Sequence, residues 1–303
     1  MTVADEREFE RRVAEPTAPD ARAGRSLLKS AALRFAANKA AVAGVVVLLL
    51  LTLSSILVPI VSPKSIETND YLNILTAPSA EYWFGTDTNG RDLFVRTFYA
   101  GRISLAIGIL ATGVALVIGV SYGTVAGFFG GRLGEIMMRG VDVLYALPSL
   151  FIIMILVTIL GSKNILIVFM CIGALEWLTL ARIIRGQTLS IKQKEYMEAA
   201  RAIGLPSTVI LRRYILPNTI GPVIVYVTLL IPVNIMIESY LSFLGLGVQE
   251  PLTSWGLLIS QGSNEIDNAP WLLVFPGVFL TVTLLAFNFV GDGLRDALDP
   301  KDR

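Results

Sequence analysis

Five stretches without a charged side chain set the architecture of this chain of 303 residues. They lie between consecutive charged residues and cover 40–63, 103–131, 143–162, 214–237 and 268–291. A helix needs about 20 apolar residues to cross the hydrocarbon of a bilayer, so each stretch is long enough to span it. A sixth stretch, 164–181, is apolar except for Glu176. The sequence therefore predicts an all-α integral membrane protein with six transmembrane helices and both termini on one side.

The composition agrees with a membrane protein and excludes several classes of function. Hydrophobic residues make up 54% of the chain and charged residues 16%, which is too apolar for an ordinary soluble domain. Lys plus Arg (25) nearly cancel Asp plus Glu (24), and no long basic run occurs, so we expect no nucleic-acid partner. The sequence has no His and a single Cys, Cys171, which excludes an internal disulfide, His-based catalysis and a Cys/His metal site.

The basic residues predict the orientation of the chain. If the amino terminus is cytoplasmic, 20 of the 25 Lys and Arg residues fall on inner segments. The other five fall on outer segments: Lys64, Arg91, Arg96, Arg102 and Lys163. Because cytoplasmic loops are enriched in Lys and Arg, we place both termini in the cytoplasm of a multi-pass protein of the cell (inner) membrane.

The chain divides into four parts on this basis. Residues 1–25 carry few large apolar side chains and are predicted to form a disordered cytoplasmic tail. Residues 26–39 have apolar side chains at helical spacing, which indicates an amphipathic helix on the membrane surface or, alternatively, a simple extension of the first span. The six spans occupy 40–293, and Gly291 to Gly293 are expected to end the last one. Residues 294–303 form a cytoplasmic tail.

The predicted inner loop, 182–215, holds a short helix that we expect to bind another protein. Good helix formers run from Glu195 to Ile203, a Gly-Leu-Pro sequence then breaks the helix, and Ser207 can cap a second helix running to Arg213. Four side chains, Tyr196, Ala199, Ala200 and Ile203, fall on one face and form a small apolar patch in water. The alternative is an ordinary amphipathic loop that rests on the inner leaflet. We assign this contact to Tyr196, Glu198, Ala199, Ala200, Arg201, Gly204, Leu205 and Pro206.

The same loop carries a resemblance to a known family. Glu198, Ala199, Ala200 and Gly204, followed by Leu216 and Pro217, have the spacing of the EAA motif of ABC importer permeases. Other segments resemble the peptide and nickel branch of that family, and in particular its dipeptide and oligopeptide C-type permeases: FGTDTNGRDLFVR (84–96), GRISLAIG (101–108), MRGVDVLYALPSL (138–150), LSFLGLGVQEP (241–251) and GDGLRDALDPK (291–301). Glu250 departs from the branch, which commonly has Pro at this position.

The resemblance implies a type I ABC importer permease bundle with cytoplasmic coupling helices and no catalytic residue. It implies a second homologous permease subunit, one or two ABC ATPase subunits, an extracytoplasmic substrate-binding protein and a di- or oligopeptide substrate. The chain has no G-x-x-x-x-G-K-[ST] phosphate loop, so we expect ATP and Mg²⁺ to bind to the partner ATPase subunits and no cofactor to bind here.

Polar residues inside the spans are candidates for the translocation path or a gate. Arg139 and Asp142 are three residues apart on one helical face, and either form a mutual salt bridge or contribute to a gate. Glu176 and Glu238 are costly to bury in lipid, so we expect each either to face the path, where a cationic peptide terminus could bind, or to form a hydrogen bond with a neighbouring helix. The same two interpretations apply to Asn234 and Asn288.

Four glycines in the second span recur at steps of four, which lets a neighbouring helix approach closely. They are Gly119, Gly123, Gly127 and Gly131. Packing within the same bundle is favoured over packing against a partner permease.

The competing hypothesis for the whole chain is an ion-coupled secondary transporter or channel that acts without an ATPase. In that case Glu176 and Glu238 would be ion or proton sites.

Overall fold

The structure is a computed structural model that describes residues 27–161 and 164–298. Most of these residues are helical. The proposed tail 1–25, Lys163 and the last five residues lie outside the described part. Eleven α-helices and one π-helix follow one another in the described ranges: α1 Leu27–Ala37, α2 Lys39–Val61, α3 Leu93–Phe129, α4 Gly131–Tyr145, α5 Ser149–Leu160, α6 Ile165–Lys192, α7 Glu195–Ala202, α8 Ser207–Ile210, the π-helix Leu211–Ile215, α9 Leu216–Phe243, α10 Trp255–Asn264 and α11 Trp271–Leu298. The only β-type pairing in these ranges is an isolated bridge between Thr86 and Asp92, so the all-α prediction is confirmed.

Five of these helical segments are long and apolar enough to cross a membrane. They are α2, α3, α6, the continuous segment Ser207–Phe243 and α11. A sixth span exists only if α4 and α5 are counted together, because they meet at an angle of 81°. The number of spans therefore matches the prediction, but the third span, expected over 143–162, consists of two helices that together cover Gly131–Leu160.

Proline explains the break in the third span. Pro148 precedes α5 as its cap, and a residue before proline is disfavoured in the α conformation. The helix that begins at Gly131 accordingly ends at Tyr145, and α5 contributes only 12 residues, about 18 Å of helix. Neither part crosses a bilayer by itself.

A single residue separates the first two helices. The Asn38 side chain accepts hydrogen bonds from the backbone N–H groups of Ala40 and Ala41 and so caps α2. Residues before Asn38 therefore form a separate helix, and the alternative of a simple extension of the first span is wrong. That α1 rests on the membrane surface stays a prediction.

The two ends of the described chain meet at the same end of the bundle, which we call the terminal end. A side chain at Gly293 in α11 would collide with Ala41 of α2 and would touch the Phe35 ring at 3.3 Å. Gly291 packs in the same way on Leu229 of α9. These glycines lie inside α11, which continues to Leu298, so the expectation that they end the last helix is wrong.

The glycine stripe of α3 is the contact surface for α6. A Cβ atom at Gly119 would lie 2.9 Å from Leu180 Cβ, one at Gly123 would lie 2.9 Å from Ile184 Cβ, and one at Gly127 would lie 2.6 Å from Thr188 Cβ. Each distance is far below a normal carbon–carbon contact, so only glycine permits this approach. The stripe thus packs within the chain. Gly131 does not take part, since nothing lies within 4 Å of the position of its Cβ and its φ of +50° makes it a turn residue.

Candidate functional site

The helix α7 projects from the terminal end of the bundle and is held there by two buried side chains. Met197 is fully buried and packs with Ile191, Ile210 and Ile215, and Ala200 is buried beside it. The opposite side of the helix is exposed and carries Tyr196, Glu198, Ala199 and Arg201. The predicted apolar face is therefore corrected at one position, because Ala200 anchors the helix instead of facing water.

Glycine determines how α7 ends. Gly204 has a φ of +76°, its N–H donates to the Arg201 carbonyl, and the Leu205 N–H donates to the Ala200 carbonyl. These two bonds form a Schellman motif, which needs a left-handed residue and is therefore usually closed by glycine. The turn leads into Pro206, and Ser207 is the first residue of α8, so the expected Ser207 cap does not form.

The next helix begins in the same cluster and is continuous with a membrane span. Segment Ser207–Phe243 runs without a break through the π-helix Leu211–Ile215. The Tyr214 ring in that π-helix stacks at 6.4 Å on the Tyr196 ring of α7. A partner that moved α7 would therefore act directly on α9.

A polar cluster joins α4, α6 and α9 next to the bend in the third span. Arg182 Nη2 lies 2.8 Å from Asp142 Oδ1, and the guanidinium of Arg182 lies 4.3 Å from the centre of the Tyr145 ring. Thr179 Oγ1 donates to the Tyr145 hydroxyl at 3.5 Å, and Tyr226 approaches from α9. The side chains of Arg182 and Asp142 are 41% and 56% exposed, so the cluster has an open face.

The geometry of this region decides one prediction about an ion pair. The salt bridge expected between Arg139 and Asp142 is wrong, because Asp142 pairs with Arg182 and Arg139 has no ion-pair partner among the described residues. A spacing of three residues on a helix does bring two side chains close together. Asp142 nevertheless pairs with Arg182, which comes from a second helix and lies over the Tyr145 ring. Glu176 lies six residues before Arg182 on α6, half-buried and near Tyr226.

Glu238 lies in the interior of the chain and connects three helices. It is fully buried, and its carboxylate accepts hydrogen bonds from Ser242 Oγ at 2.6 Å and from Ser104 Oγ of α3 at 3.1 Å. Ser104 Oγ in turn accepts from the backbone N–H of Trp255, the first residue of α10. Of the two interpretations offered by the sequence, the hydrogen bond to a neighbouring helix describes this conformation. Glu238 does not face an open path in it.

The two candidate asparagines lie in different surroundings, one buried and one exposed. Asn234 is fully buried, and its Nδ2 donates to Thr112 Oγ1 of α3 at 2.8 Å. Asn288 is exposed on α11. Only Asn288 is free to contact a partner or a path.

An ion-pair network at the opposite end of the bundle was not anticipated from the sequence. Asp87 accepts from Arg91 Nε at 2.7 Å and from the buried Arg96, and Arg91 Nη2 lies 2.9 Å from Glu250 Oε1. Glu250 also accepts from Gln261 of α10 at 3.2 Å. The network ties the loop before α3 to the loop before α10. The spacing of Asp87 and Arg91, four residues apart, is the one feature of the sequence that indicates an ion pair here.

The charge pairing has a consequence for titration. The hydrogen bond from Arg91 lowers the pKa of the Glu250 carboxyl below its ordinary value, and this effect is larger than the opposite effect of partial burial.

Within the described residues, no group of three or more His, Cys, Asp or Glu side chains is placed to hold a metal ion.

Two family models match the sequence. Residues 119–303 match a binding-protein-dependent transport system inner membrane component. Residues 26–78 match the N-terminal TM domain of oligopeptide transport permease C.

Relatives resemble the chain over nearly its whole length. It is 51% identical to the oligopeptide transport system permease protein OppC of Escherichia coli (strain K12), over 92% of this chain and 93% of that protein. It is 49% identical to the protein of the same name from Haemophilus influenzae, over 92% and 90%. It is 44% identical to the dipeptide transport system permease protein DppC of Bacillus subtilis (strain 168), over 89% and 84%.

One solved structure has a similar fold. A chain of an inward-facing form of the MetNI methionine ABC transporter superposes with a TM-score of 0.57 and 16% identity. The match covers 68% of this chain and 98% of that chain. At this level of identity the likeness concerns the fold alone.

Proposed function

The chain belongs to the family of binding-protein-dependent transport system inner membrane components, and we propose that it forms half of the translocation pathway of an ATP-driven importer of di- or oligopeptides. The predicted fold, a permease bundle of the type I importer kind, is confirmed by the family match and by the fold of the methionine transporter. The relatives support this function and give no support to an ion-coupled transporter acting alone.

The observation that carries the mechanism is the exposed helix α7 with its fixed ending. Its outer side chains Tyr196, Glu198, Ala199 and Arg201 are free, whereas Met197 and Ala200 fasten it to the start of the continuous segment Ser207–Phe243. A helix built in this way transmits a push from outside to a membrane span. We assign it the contact with an ABC ATPase subunit, where ATP and Mg²⁺ bind.

Orientation and partners follow from the same assignment. The terminal end of the bundle would face the cytoplasm, where the ATPases act and where most basic residues of the chain lie. The end that carries Asp87, Arg91 and Glu250 would face an extracytoplasmic substrate-binding protein. A second homologous permease subunit would complete the pathway.

The polar cluster beside the bend is our candidate for the path itself. Charged side chains at membrane depth are stable where they face a water-filled cavity, and Arg182 and Asp142 are both partly exposed. Glu176 lies on the same helix and could bind the ammonium group of a peptide. A break in the third span at the same level provides a point about which the path can change width.

The test uses the chain assembled with its proposed partners in proteoliposomes, with peptide uptake and ATP hydrolysis measured together. Glu198→Lys reverses a charge on the exposed face of α7, and we expect uptake to fall about tenfold, the factor for about 1.4 kcal/mol of lost contact energy. ATP hydrolysis should no longer respond to the loaded binding protein.

Glu135→Lys is the matched control, because it makes the same change at an exposed position of α4 near the terminal end. It should leave uptake and hydrolysis unchanged. Equal effects of the two substitutions, or unchanged uptake in Glu198→Lys, would refute the assignment of α7.

A further inference from the structure

One cation near the non-terminal end of the bundle, Arg102, has no carboxylate partner among the described residues and lies only over the Tyr99 ring, 5.9 Å from its centre. Of the four Lys and Arg side chains that the structure describes between residues 62 and 102, Lys64 pairs with Asp92, Arg91 with Asp87 and Glu250, and Arg96 with Asp87. Arg102 has no carboxylate within salt-bridge distance in the described residues, and its side chain is exposed. An exposed cation on a membrane helix requires an anion or water beside it.

The side chain of Arg102 reaches a cavity at the end of the first span. The cavity has a volume of about 330 Å³, and its lining includes Ile60, Ser62, Lys64, Ser65, Tyr99 and Arg102. Gly101 packs against Ser55, so the backbone at position 102 lies below the last turn of α2. The guanidinium therefore extends towards the helix end at Val61, as arginines do when they reach for the membrane interface.

The lining of this cavity suits an anion. It contains Arg102, two serines and a tyrosine, and no Asp or Glu, while the charge of its second cation, Lys64, is already paired with Asp92. Ser62 Oγ already accepts the backbone N–H of Lys64, and Ser65 Oγ accepts that of Glu67, so both hydroxyl hydrogens are left to donate. A guanidinium with neighbouring hydroxyl donors matches the oxygens of a phosphate.

An apolar track leads away from the cavity towards the middle of the span. Ile60 lines the cavity, and Ile56, Leu53 and Leu49 follow it at helical spacing on α2, each between 43% and 68% exposed. Such a stripe beneath a phosphate site is the arrangement that acyl chains need below a lipid head group.

We propose that this cavity binds a membrane phospholipid, with its phosphate on Arg102 and its acyl chains along the Leu49–Ile60 stripe. The charge of Arg102 is then neutralised within the bilayer, and the lipid fills the groove between α2 and α3. This site is separate from α7 and from the polar cluster, and it does not depend on the proposed transport function.

The first test measures lipid retained by the full chain. The protein is taken from vesicles of phosphatidylethanolamine and phosphatidylglycerol into detergent, and bound lipid is counted by native mass spectrometry. We expect Arg102→Gln to retain about tenfold less phospholipid than wild type, because a charge-assisted phosphate contact is lost. Arg102→Lys should retain more than Arg102→Gln, since it keeps the charge. Arg132→Gln, an exposed arginine at the terminal end, is the control and should match wild type.

The second test identifies what covers the site in the intact membrane. A photo-crosslinking residue placed at Ile60 should attach to lipid. Attachment to another protein would overturn the proposal in favour of a subunit contact. Equal lipid retention in wild type and Arg102→Gln would also overturn it, as would binding of inorganic phosphate to the lipid-free chain with the same dependence on Arg102. Thermal unfolding of each variant verifies that it is folded.

Discussion

Arg182 and Asp142 are 40 residues apart in the sequence, and their side chains form an ion pair of 2.8 Å between α6 and α4. The pair lies three residues before the end of α4, where the third span bends by 81°. It therefore links the bend to α6. Since exposed ion pairs contribute only about 0.2–1 kcal/mol, its main effect is on the geometry of the bend.

Reversal of either charge should therefore impair transport more than stability. We expect Arg182→Asp and Asp142→Arg each to lower peptide uptake several-fold, with unfolding temperatures close to that of wild type. The double variant restores the pair with opposite polarity and should recover most of the uptake. Arg139→Asp is the control, because Arg139 has no ion-pair partner in the described chain. Failure of the double variant to recover would contradict a pairwise role.

A methyl group on the glycine stripe should destabilise the bundle. A Cβ at Gly123 would lie 3.0 Å from Ala181 Cα and 2.9 Å from Ile184 Cβ, so Gly123→Ala forces α3 and α6 apart. We expect a loss of about 1–3 kcal/mol in the free energy of unfolding. Gly113→Ala lies on the same helix with nothing within 4 Å and should be neutral or stabilising by up to about 1 kcal/mol. Thermal unfolding in nanodiscs measures both, and equal shifts would disprove the packing argument.

Removal of the buried carboxylate at position 238 should loosen α10. In Glu238→Leu the hydroxyls of Ser104 and Ser242 lose their acceptor inside the protein. Each unsatisfied hydroxyl should lower the free energy of unfolding by about 1–3 kcal/mol. Glu238→Gln keeps an acceptor and should lose less. Asn288→Leu replaces an exposed polar group in a span and serves as the comparison. The ranking is checked by unfolding and by hydrogen exchange at the Trp255 amide, and no difference between Leu and Gln would refute it.

The loop network around Glu250 should weaken in acid. Because the pKa of Glu250 is lowered by Arg91, its contribution is complete above the ordinary carboxyl pKa and is lost as the pH falls through the lower value in the folded protein. Wild type should therefore lose more stability between pH 5 and pH 3 than Glu250→Gln, whose side chain does not titrate. Proteolysis of the loop before α10 across this range is the measurement. Parallel profiles for the two proteins would show that the pair is not linked to stability.

The spans were predictable because the membrane imposes a length on every helix that crosses it. The stretches 40–63 and 268–291 correspond to α2 and α11 almost directly. The interruption of the third span at Pro148 is also readable from the sequence, but the angle of 81° is not. A proline signals a break, but the angle depends on which neighbouring helices receive the two halves.

The side-chain partners were less predictable than the helices. Arg139 and Asp142 have a suitable spacing, yet the partner of Asp142 comes from a residue far along the chain. The network of Asp87, Arg91 and Glu250 likewise spans 159 residues between its last two members. Spacing within a helix reports local neighbours only, and contacts between helices depend on the packing of the bundle.

Helix α7 lies between these two cases. Its position, its ending at Gly204 and its exposure follow from local composition, and the structure has all three. The direction of Ala200 does not follow, because Tyr196, Ala199, Ala200 and Ile203 share an arc of about 100° and spacing alone does not show which edge of that arc meets the hydrophobic cluster. The buried residue Met197 settles the rotation of the helix.

The contact between α2 and α11 also constrains how the protein is made. Gly44 and Gly293 hold the first and last spans together, with the Gly44 Cβ position only 2.8 Å from the Ala286 carbonyl oxygen. During synthesis, α2 leaves the ribosome long before α11 exists, at about 5–20 residues per second. The groove of α2 at Gly44 must therefore remain against lipid or insertion machinery until translation reaches the carboxyl end. A chain released early would keep that groove open and could be recognised as unfinished.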